Sequence, residues 1–326
     1  MVGPLRAGTS QAQVDGVLVL DKPAGCTSHD VVNICRQVFG QKRVGHAGTL
    51  DPDATGALVV GLGQATRLLQ FLGGATKRYT GVVVLGTSTT TLDSSGEITA
   101  EYQMSAVSAE EVASAAGRLT GEIMQVPPMV SALKVGGRRL HELARRGVEV
   151  ERAPRPVVVS SFGTRVIGAT ERGPVVAVDV ECSAGTYVRS LAADLGRLLG
   201  GGAYLRELRR LRSGAFSVEE AVSLEVLRSE AGPARWVVSP AAALRQAGFA
   251  EAVAGVELAD LVRHGRVLPV EVLRGAGANG PGPWAVTSGV GHLLAVYERY
   301  RGDVAKPAAV FEATPGASAG VEGMPG

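Results

Sequence analysis

The sequence predicts an α+β protein in two units. A mixed domain of strands and helices spans residues 15–235, a small β-rich unit spans 236–312, and loose tails flank them at 1–14 and 313–326. Three observations predict this. Short runs rich in Val, Leu and Ile recur between turn residues, as strands do. Longer segments carry an apolar stripe at helical spacing, with capping residues in front and glycine behind. Beyond Arg212 the composition shifts, with Ala, Val and Gly dominant and basic residues sparse.

The elements follow in order. Gly16 to Asp21 (GVLVLD) is a strand, broken by Lys22-Pro23-Ala24-Gly25. Thr27 or Ser28 caps a helix to about Phe39, and Gly40 stops it. A Gly-rich loop covers 45–56. Ala57 to Leu62 reads as a buried strand, Ala65 to Leu72 as a short helix and Thr80 to Leu85 as a strand. Ser108 caps a helix to Leu119, with Glu111 at the reciprocal capping-box position. Gln125 to Ser131 contains Pro127-Pro128 and is extended, and Arg138 to Arg146 reads as helical. Val157 to Val166 and Val175 to Glu181 alternate as strands. Thr186 to Leu199 is a helix stopped by Gly200-Gly201-Gly202, and the basic stretch after it reads as a further helix. Glu257 to Gly265, Trp284 to Val286 and Leu293 to Tyr297 supply the apolar pieces of the second unit.

Composition sets bounds. Of 326 residues, 45% are hydrophobic and 20% charged, which excludes a largely disordered, collagen-like or coiled-coil chain. No apolar run approaches the roughly 18–20 residues of a membrane span, and Met1 to Gln13 lacks the apolar core of a signal peptide. Cys26, Cys35 and Cys182 are odd in number and form no C-x-x-C, so neither a disulfide framework nor a zinc ribbon is expected. A soluble, reducing, cytoplasmic setting fits. The net charge of +2 hides an uneven spread: +5 over residues 1–212 and −3 beyond. Lys134 to Arg155 carries seven basic side chains and Arg189 to Arg212 six, all Arg. One such run is as readily a solvated face; two in the same half favour a polyanionic partner.

The Gly-rich candidates are eliminated in turn. G-H-A-G-T-L-D-P-D-A-T-G at 45–56 has no closing G-K-[ST] and is not a P-loop. Gly61-Leu62-Gly63 lacks the third glycine of a dinucleotide fingerprint. His141-Glu142-Leu143-Ala144-Arg145 misses the zincin motif at its last residue, and no other spacing suggests a metal site. Asp51 has two readings. It ends in a turn that merely bonds its own backbone, which spacing alone favours, or it is a reactive carboxylate on a rigid loop. A carboxylate is ionised at neutral pH and needs no base to act as a nucleophile.

Six motifs then resemble, in order, those of the bacterial TruB family of tRNA pseudouridine-55 synthases: GVLVLDKPAG at 16–25, GHAGTLDPDATG at 45–56, KRYTG at 77–81, PPMVSALK at 127–134, SAGTYVRSLAADLG at 183–196 and LRRLRSG at 208–214. The resemblance implies a pseudouridine synthase fold, a mixed and largely antiparallel sheet, with a small PUA-like C-terminal β domain. It implies Asp51 as nucleophile, Tyr79 stacked on the target uracil, and Arg189 paired with Asp51 and lowering its pKa. Tyr187 and Leu208 line the uridine pocket, and His46 enters the T-loop. Lys22, counted with the substrate-binding residues, and Pro23 support the catalytic loop. A thumb-like insertion at about 127–156 offers Lys134, Arg138, Arg139, Arg145 and Arg146 to the RNA backbone. The implied partner is the T-stem-loop of tRNA, read mainly by shape. The target base flips out at a cost of a few kcal/mol, offset by stacking. Isomerisation is neither redox nor hydrolytic, so no cofactor is expected; nor are a guide RNA or an oligomer.

Asp53 sits where the family often has an apolar residue, and would raise the pKa of Asp51 if the two carboxylates faced each other, although Pro52 turns them apart. The charge of −3 beyond residue 212 argues against a large RNA footprint there. Three rivals differ in testable ways. A guide-RNA-dependent pseudouridine synthase would need protein partners. A tRNA-folding chaperone would work without Asp51. An Asp-dependent phosphate-ester hydrolase would need a metal.

Overall fold

The computed structural model describes residues 13–131, 134–135, 138–139, 150–229 and 232–311. The expected tails lie outside them, apart from residues 13 and 14. β1 (Gly16–Lys22) leads to α1 (Ser28–Val38), whose N-cap Thr27 forms a capping box with Asp30. β2 (Val44–Ala47) and β3 (Thr55–Leu62) pair across the glycine-rich segment, so its two ends are strand rather than loop. Within β3, Gly61 serves close packing: a Cβ there would lie 2.9 Å from the Ala65 carbonyl oxygen. A 3₁₀ turn and α2 (Leu69–Leu72) precede β4 (Lys77–Leu85). The hairpin β5 (Thr87–Thr89) and β6 (Ile98–Glu101) follows. Ser108 and Glu111 form the expected capping box of α3 (Ala109–Arg118), and β7 is Gly121–Gln125.

β8 (Lys134–Val135) pairs with β9 (Arg138–Arg139), so the start of the segment read as helical is a hairpin. Residues 140–149, which include Arg145 and Arg146, lie outside the described residues. β10 (Arg155–Ala169) and β11 (Pro174–Cys182) form a long antiparallel pair, and α4 (Val188–Leu198) follows. β12 (Ala203–Ser213) corrects the second expected basic helix. Register shifts between Leu205 and Glu207, and between Arg210 and Arg212, interrupt its alternation. They leave leucines at 205, 208 and 211, a spacing of three that imitates a helix. Short strands β13 (Phe216–Ser217) and β14 (Val222–Ser223) complete the first sheet, ahead of α5 (Leu224–Ser229) and α6 (Pro240–Gln246).

That sheet runs β14-β1-β3-β12-β4-β11-β10-β7, with β2 on β3 and β13 on β12. β1/β14 and β3/β12 are parallel and the other pairs antiparallel, the mixed and largely antiparallel arrangement expected. Both faces of β1 are buried. Leu18 and Leu20 pack with Val31, Val32 and Cys35 of α1, while Val17 and Val19 pack with Leu244 of α6. This is why GVLVL is continuously apolar. Across β4, β11 and β10, α3 and α4 cover one face through Val112, Leu191 and Leu195.

The second sheet contains β15 (Ala250–Ala254), β16 (Leu268–Pro269), β17 (Trp284–Ser288), β18 (Leu293–Arg301) and β19 (Val304–Val310). Its order is β15-β17-β18-β19-β16. Two helices belong to it, α7 (Val256–Arg263) and α8 (Val270–Gly275), and α7 takes up most of the apolar piece Glu257 to Gly265. The buried faces of Ala259 and Val262 explain its apolar content. Among the described residues, no helix is long and apolar enough to cross a membrane.

Candidate active site

The loop between β2 and β3 is fastened from below. Lys22, fully buried at the end of β1, donates from Nζ to the Pro52 carbonyl at 2.9 Å. The Gly25 amide donates to the same oxygen at 3.1 Å. Ser28 Oγ accepts from the Leu50 amide at 2.9 Å and donates to the Leu50 carbonyl at 3.1 Å. On the other side, Arg210 of β12 donates from Nη2 to the Gly48 carbonyl at 3.1 Å and from Nε to the Ala57 carbonyl at 2.7 Å. The sequence dictates this arrangement locally. Gly48 takes φ +84°, and Asp51-Pro52 closes a turn in which the Ala54 amide donates to the Asp51 carbonyl at 3.1 Å. Asp51 is thereby presented on a loop with little freedom.

Arg189 meets it. Its guanidinium, only 4% exposed, grips the Asp51 carboxylate with Nε to Oδ2 at 2.9 Å and Nη2 to Oδ1 at 3.1 Å. The remaining donors reach the Val130 carbonyl at 2.9 Å, the Thr91 carbonyl at 3.1 Å and the Asp93 carboxylate at 3.4 Å. Such a bidentate pair fixes orientation as well as charge. Helix α4 carries Arg189 in its first turn, and Gln125 sets that turn. Its buried amide accepts from the Tyr187 N–H at 2.8 Å and donates to the Tyr187 carbonyl at 3.1 Å, while Ser190 Oγ donates to Val126 O at 2.9 Å.

A cleft of about 250 Å³ opens beside this pair, lined by Asp51, Tyr79, Tyr187, Arg189 and Leu208 and floored by Lys77 and Arg210. Pairing within the sheet brings these distant residues together: β12 lies between β3 and β4, with Arg210 opposite Tyr79 and Leu208 opposite Gly81. A second hollow of about 350 Å³ lies against the same Asp51–Arg189 pair and includes Asp93 and Asp53.

The electrostatics differ from the sequence expectation in one respect. Burial pushes the Asp51 carboxyl above its ordinary value; Arg189 pulls it down, as expected, but Asp93 adds to the rise and the net direction is upward. The second acid that acts on Asp51 is therefore Asp93 and not Asp53, whose side chain is exposed. Burial also raises the Tyr79 phenol, opposed by Arg210, which hydrogen-bonds to it. Burial and then Arg210 lower the His46 imidazole.

The residues singled out from the sequence separate into groups. Asp51, Tyr79, Tyr187, Arg189 and Leu208 share the cleft. His46 sits on β2 opposite Val60, outside its lining. Lys22 is behind the loop, holding the Pro52 carbonyl, and is not among the residues that line the cleft. Lys134, Arg138 and Arg139 lie on the small hairpin. Sequence reasoning passed over Asp93, Gln125 and Arg210. Arg210 could not be told from Arg209 and Arg212, which make outward pairs with Asp21 and Glu181, because the strand bulges decide which arginine turns inward. Among the described residues, no group of three or more His, Cys, Asp or Glu side chains is placed to hold a metal ion.

The geometry has counterparts. A family model described as "TruB family pseudouridylate synthase (N terminal domain)" matches residues 36–188, and one described as "tRNA pseudouridylate synthase B C-terminal domain" matches 189–242. The chain is 46% identical over 286 residues to tRNA pseudouridine synthase B of Rhodococcus jostii, covering 87% of this chain and 90% of that one. It is 51% identical over 233 residues to the protein of the same name from Symbiobacterium thermophilum, covering 72% and 77%. Among solved structures, a chain of a Cbf5-Nop10-Gar1 complex superposes with a TM-score of 0.67 at 26% identity, covering 91% of this chain and 85% of that one. A chain of an archaeal box H/ACA sRNP Nop10-Cbf5 complex gives 0.65 at 25% identity, covering 94% and 88%.

Proposed function

The chain belongs to the TruB family of pseudouridylate synthases, and on that premise we propose that it isomerises the T-loop uridine, position 55, of tRNA, with Asp51 as nucleophile. It is a tRNA pseudouridine synthase, as its bacterial relatives are named. One observation carries the assignment to Asp51: a carboxylate on a loop pinned from both sides, held bidentately by a buried arginine, opens onto a cleft with two tyrosines.

The steps follow from the residues. The target base leaves its stack at a cost of a few kcal/mol and enters the cleft, where Tyr79 offers a ring face. Arg189 restrains the rotation of the Asp51 carboxylate, so attack on the nucleoside starts from a fixed geometry. Tyr187 and Leu208 wall the cleft beside it. Lys22 acts at one remove, holding the Pro52 carbonyl and with it the loop. The basic segment from Lys134 to Arg155 is read as the surface that meets the RNA backbone, and the enzyme as a monomer working in the cytoplasm without guide RNA or cofactor.

The test uses an unmodified tRNA transcript and the purified protein in EDTA, with pseudouridine mapped by carbodiimide labelling. A single stop at the T-loop uridine is expected, absent with Asp51→Ala although that variant still binds tRNA. Modification elsewhere, or a normal rate from Asp51→Ala, would overturn the assignment.

A further inference from the structure

Lys77 and Arg210 have no part in the steps above, yet both line the cleft. Lys77 is 6% exposed and Arg210 fully buried. Their donors end on neutral oxygens. Lys77 Nζ donates to the Gly73 carbonyl at 2.9 Å and the Ala75 carbonyl at 3.0 Å; Arg210 donates to the Gly48 and Ala57 carbonyls and hydrogen-bonds to Tyr79. Among the described residues, no carboxylate forms an ion pair with either. They converge on Gly48: a Cβ there would lie 3.3 Å from Lys77 Cε and 3.5 Å from Arg210 Nη1. Two like charges taken out of water repel one another and lose hydration, which is costly without a counter-ion.

We propose that Lys77 and Arg210 form an electropositive floor that stabilises the negative charge developing on the target uracil during isomerisation. This rests on the reading of the cleft given above. The charge arises by either route of attack. If the C1′–N1 bond breaks first, its electron pair stays on N1 and spreads to O2 and O4, while the ribose carbon is taken by the Asp51 carboxylate. If Asp51 adds to C6 instead, the C5=C6 electron pair moves onto C5 and O4. In both, the C1′–N1 bond is broken and C5 bonds to C1′, the bond to Asp51 breaks and returns its electron pair to the carboxylate, the C5 proton is lost and N1 gains one, so no electrons enter or leave. A fixed cation beside the ring acts where the charge appears and needs no reorganisation. The ring is a better fit than a phosphate because Tyr79, Tyr187 and Leu208 line the same cleft with flat and apolar surface. Burial, reinforced by Arg210 and opposed by the Cys182 thiol, brings the Lys77 ammonium down to about 8, so it is charged at neutral pH and neutral in mild alkali.

Lys77→Met and Lys77→Arg would be compared with the wild type in single-turnover rate and in Kd for the same tRNA transcript. Lys77→Met should lose about 100-fold or more in rate, the scale of one charge-stabilising donor, with little change in Kd. Lys77→Arg should recover most of the rate. The wild-type rate should fall as pH rises through about 8 and the Lys77→Arg rate should not; this comparison stands even if Lys77→Met fails to fold. An unchanged Lys77→Met rate with a weaker Kd and a flatter salt dependence would overturn the proposal and make the pair a phosphate site. Matching pH profiles in wild type and Lys77→Arg would also overturn it. A wild type that makes no T-loop pseudouridine would remove the underlying reading as well.

Discussion

Burial, a cation and a second acid together set the acidity of Asp51. Arg189 holds it bidentately, and Asp93 reaches the same guanidinium from the far side at 3.4 Å. Asp93 is itself fixed, accepting from Thr91 Oγ1 and Ser95 Oγ, each at 2.6 Å, and from the Ser95 amide at 3.1 Å. Because the folded-state pKa of Asp51 is raised, the ionised form is lost at a higher pH than for an ordinary aspartate. The rate should therefore fall, as pH decreases, above the usual carboxylate range. Asp93→Asn removes the charge that adds to this rise, so its acid limb should move to lower pH. A pH–rate profile of the two proteins checks the sign, and coincident acid limbs would show that Asp51 does not feel the Asp93 charge.

At the scale of elements, β12 does more than its composition suggests. It lies parallel to β3 and antiparallel to β4, and it carries both Leu208 and Arg210 to the cleft. Its approach to β3 depends on Gly56. That residue takes φ +103°, and a Cβ there would lie 2.2 Å from the Arg210 carbonyl oxygen and 2.8 Å from its amide nitrogen. Both atoms are backbone, so neither can swing aside. Gly56→Ala should destabilise the protein by more than about 2 kcal/mol, from left-handed strain and the clash together. Urea unfolding measures it; a shift under about 0.5 kcal/mol would mean that the strands separate freely. Activity should fall further than stability, since Arg210 and the Asp51 loop move with β3.

Over the whole molecule, the second unit is not an appendage. Val17 of β1 exchanges both backbone hydrogen bonds with Val238, each at 2.8 Å. Leu244 of α6 and Val296 of β18 share a buried cluster with Val19 and Val59 of the first sheet. The back of the strands that flank the Asp51 loop is thus covered by the C-terminal residues. Leu244→Ala, at a fully buried position, should cost about 2–5 kcal/mol, and it should do so in one transition that also abolishes activity. Two separate thermal transitions in the wild type, only the upper unaffected by the substitution, would show that the units fold independently.

The amino-acid order by itself determined much of this protein. The continuous apolar run of β1, the alternation of β11, and the capping boxes at Thr27 and Ser108 are local properties, and they fix elements without reference to distant residues. The six ordered motifs marked Asp51, Tyr79, Tyr187, Arg189 and Leu208, which the fold gathers in one cleft, because each sits in a short, distinctive string. What only the tertiary structure decided was pairing and direction. A bulge shifts which side chains face inward, so β12 looks helical and its buried arginine looks like its exposed neighbours. Asp93 lies 42 residues from Asp51, and nothing near it in sequence marks it as the acid beside Arg189. Charge interactions depend on distance and burial, and those exist only once strands far apart in the chain lie side by side.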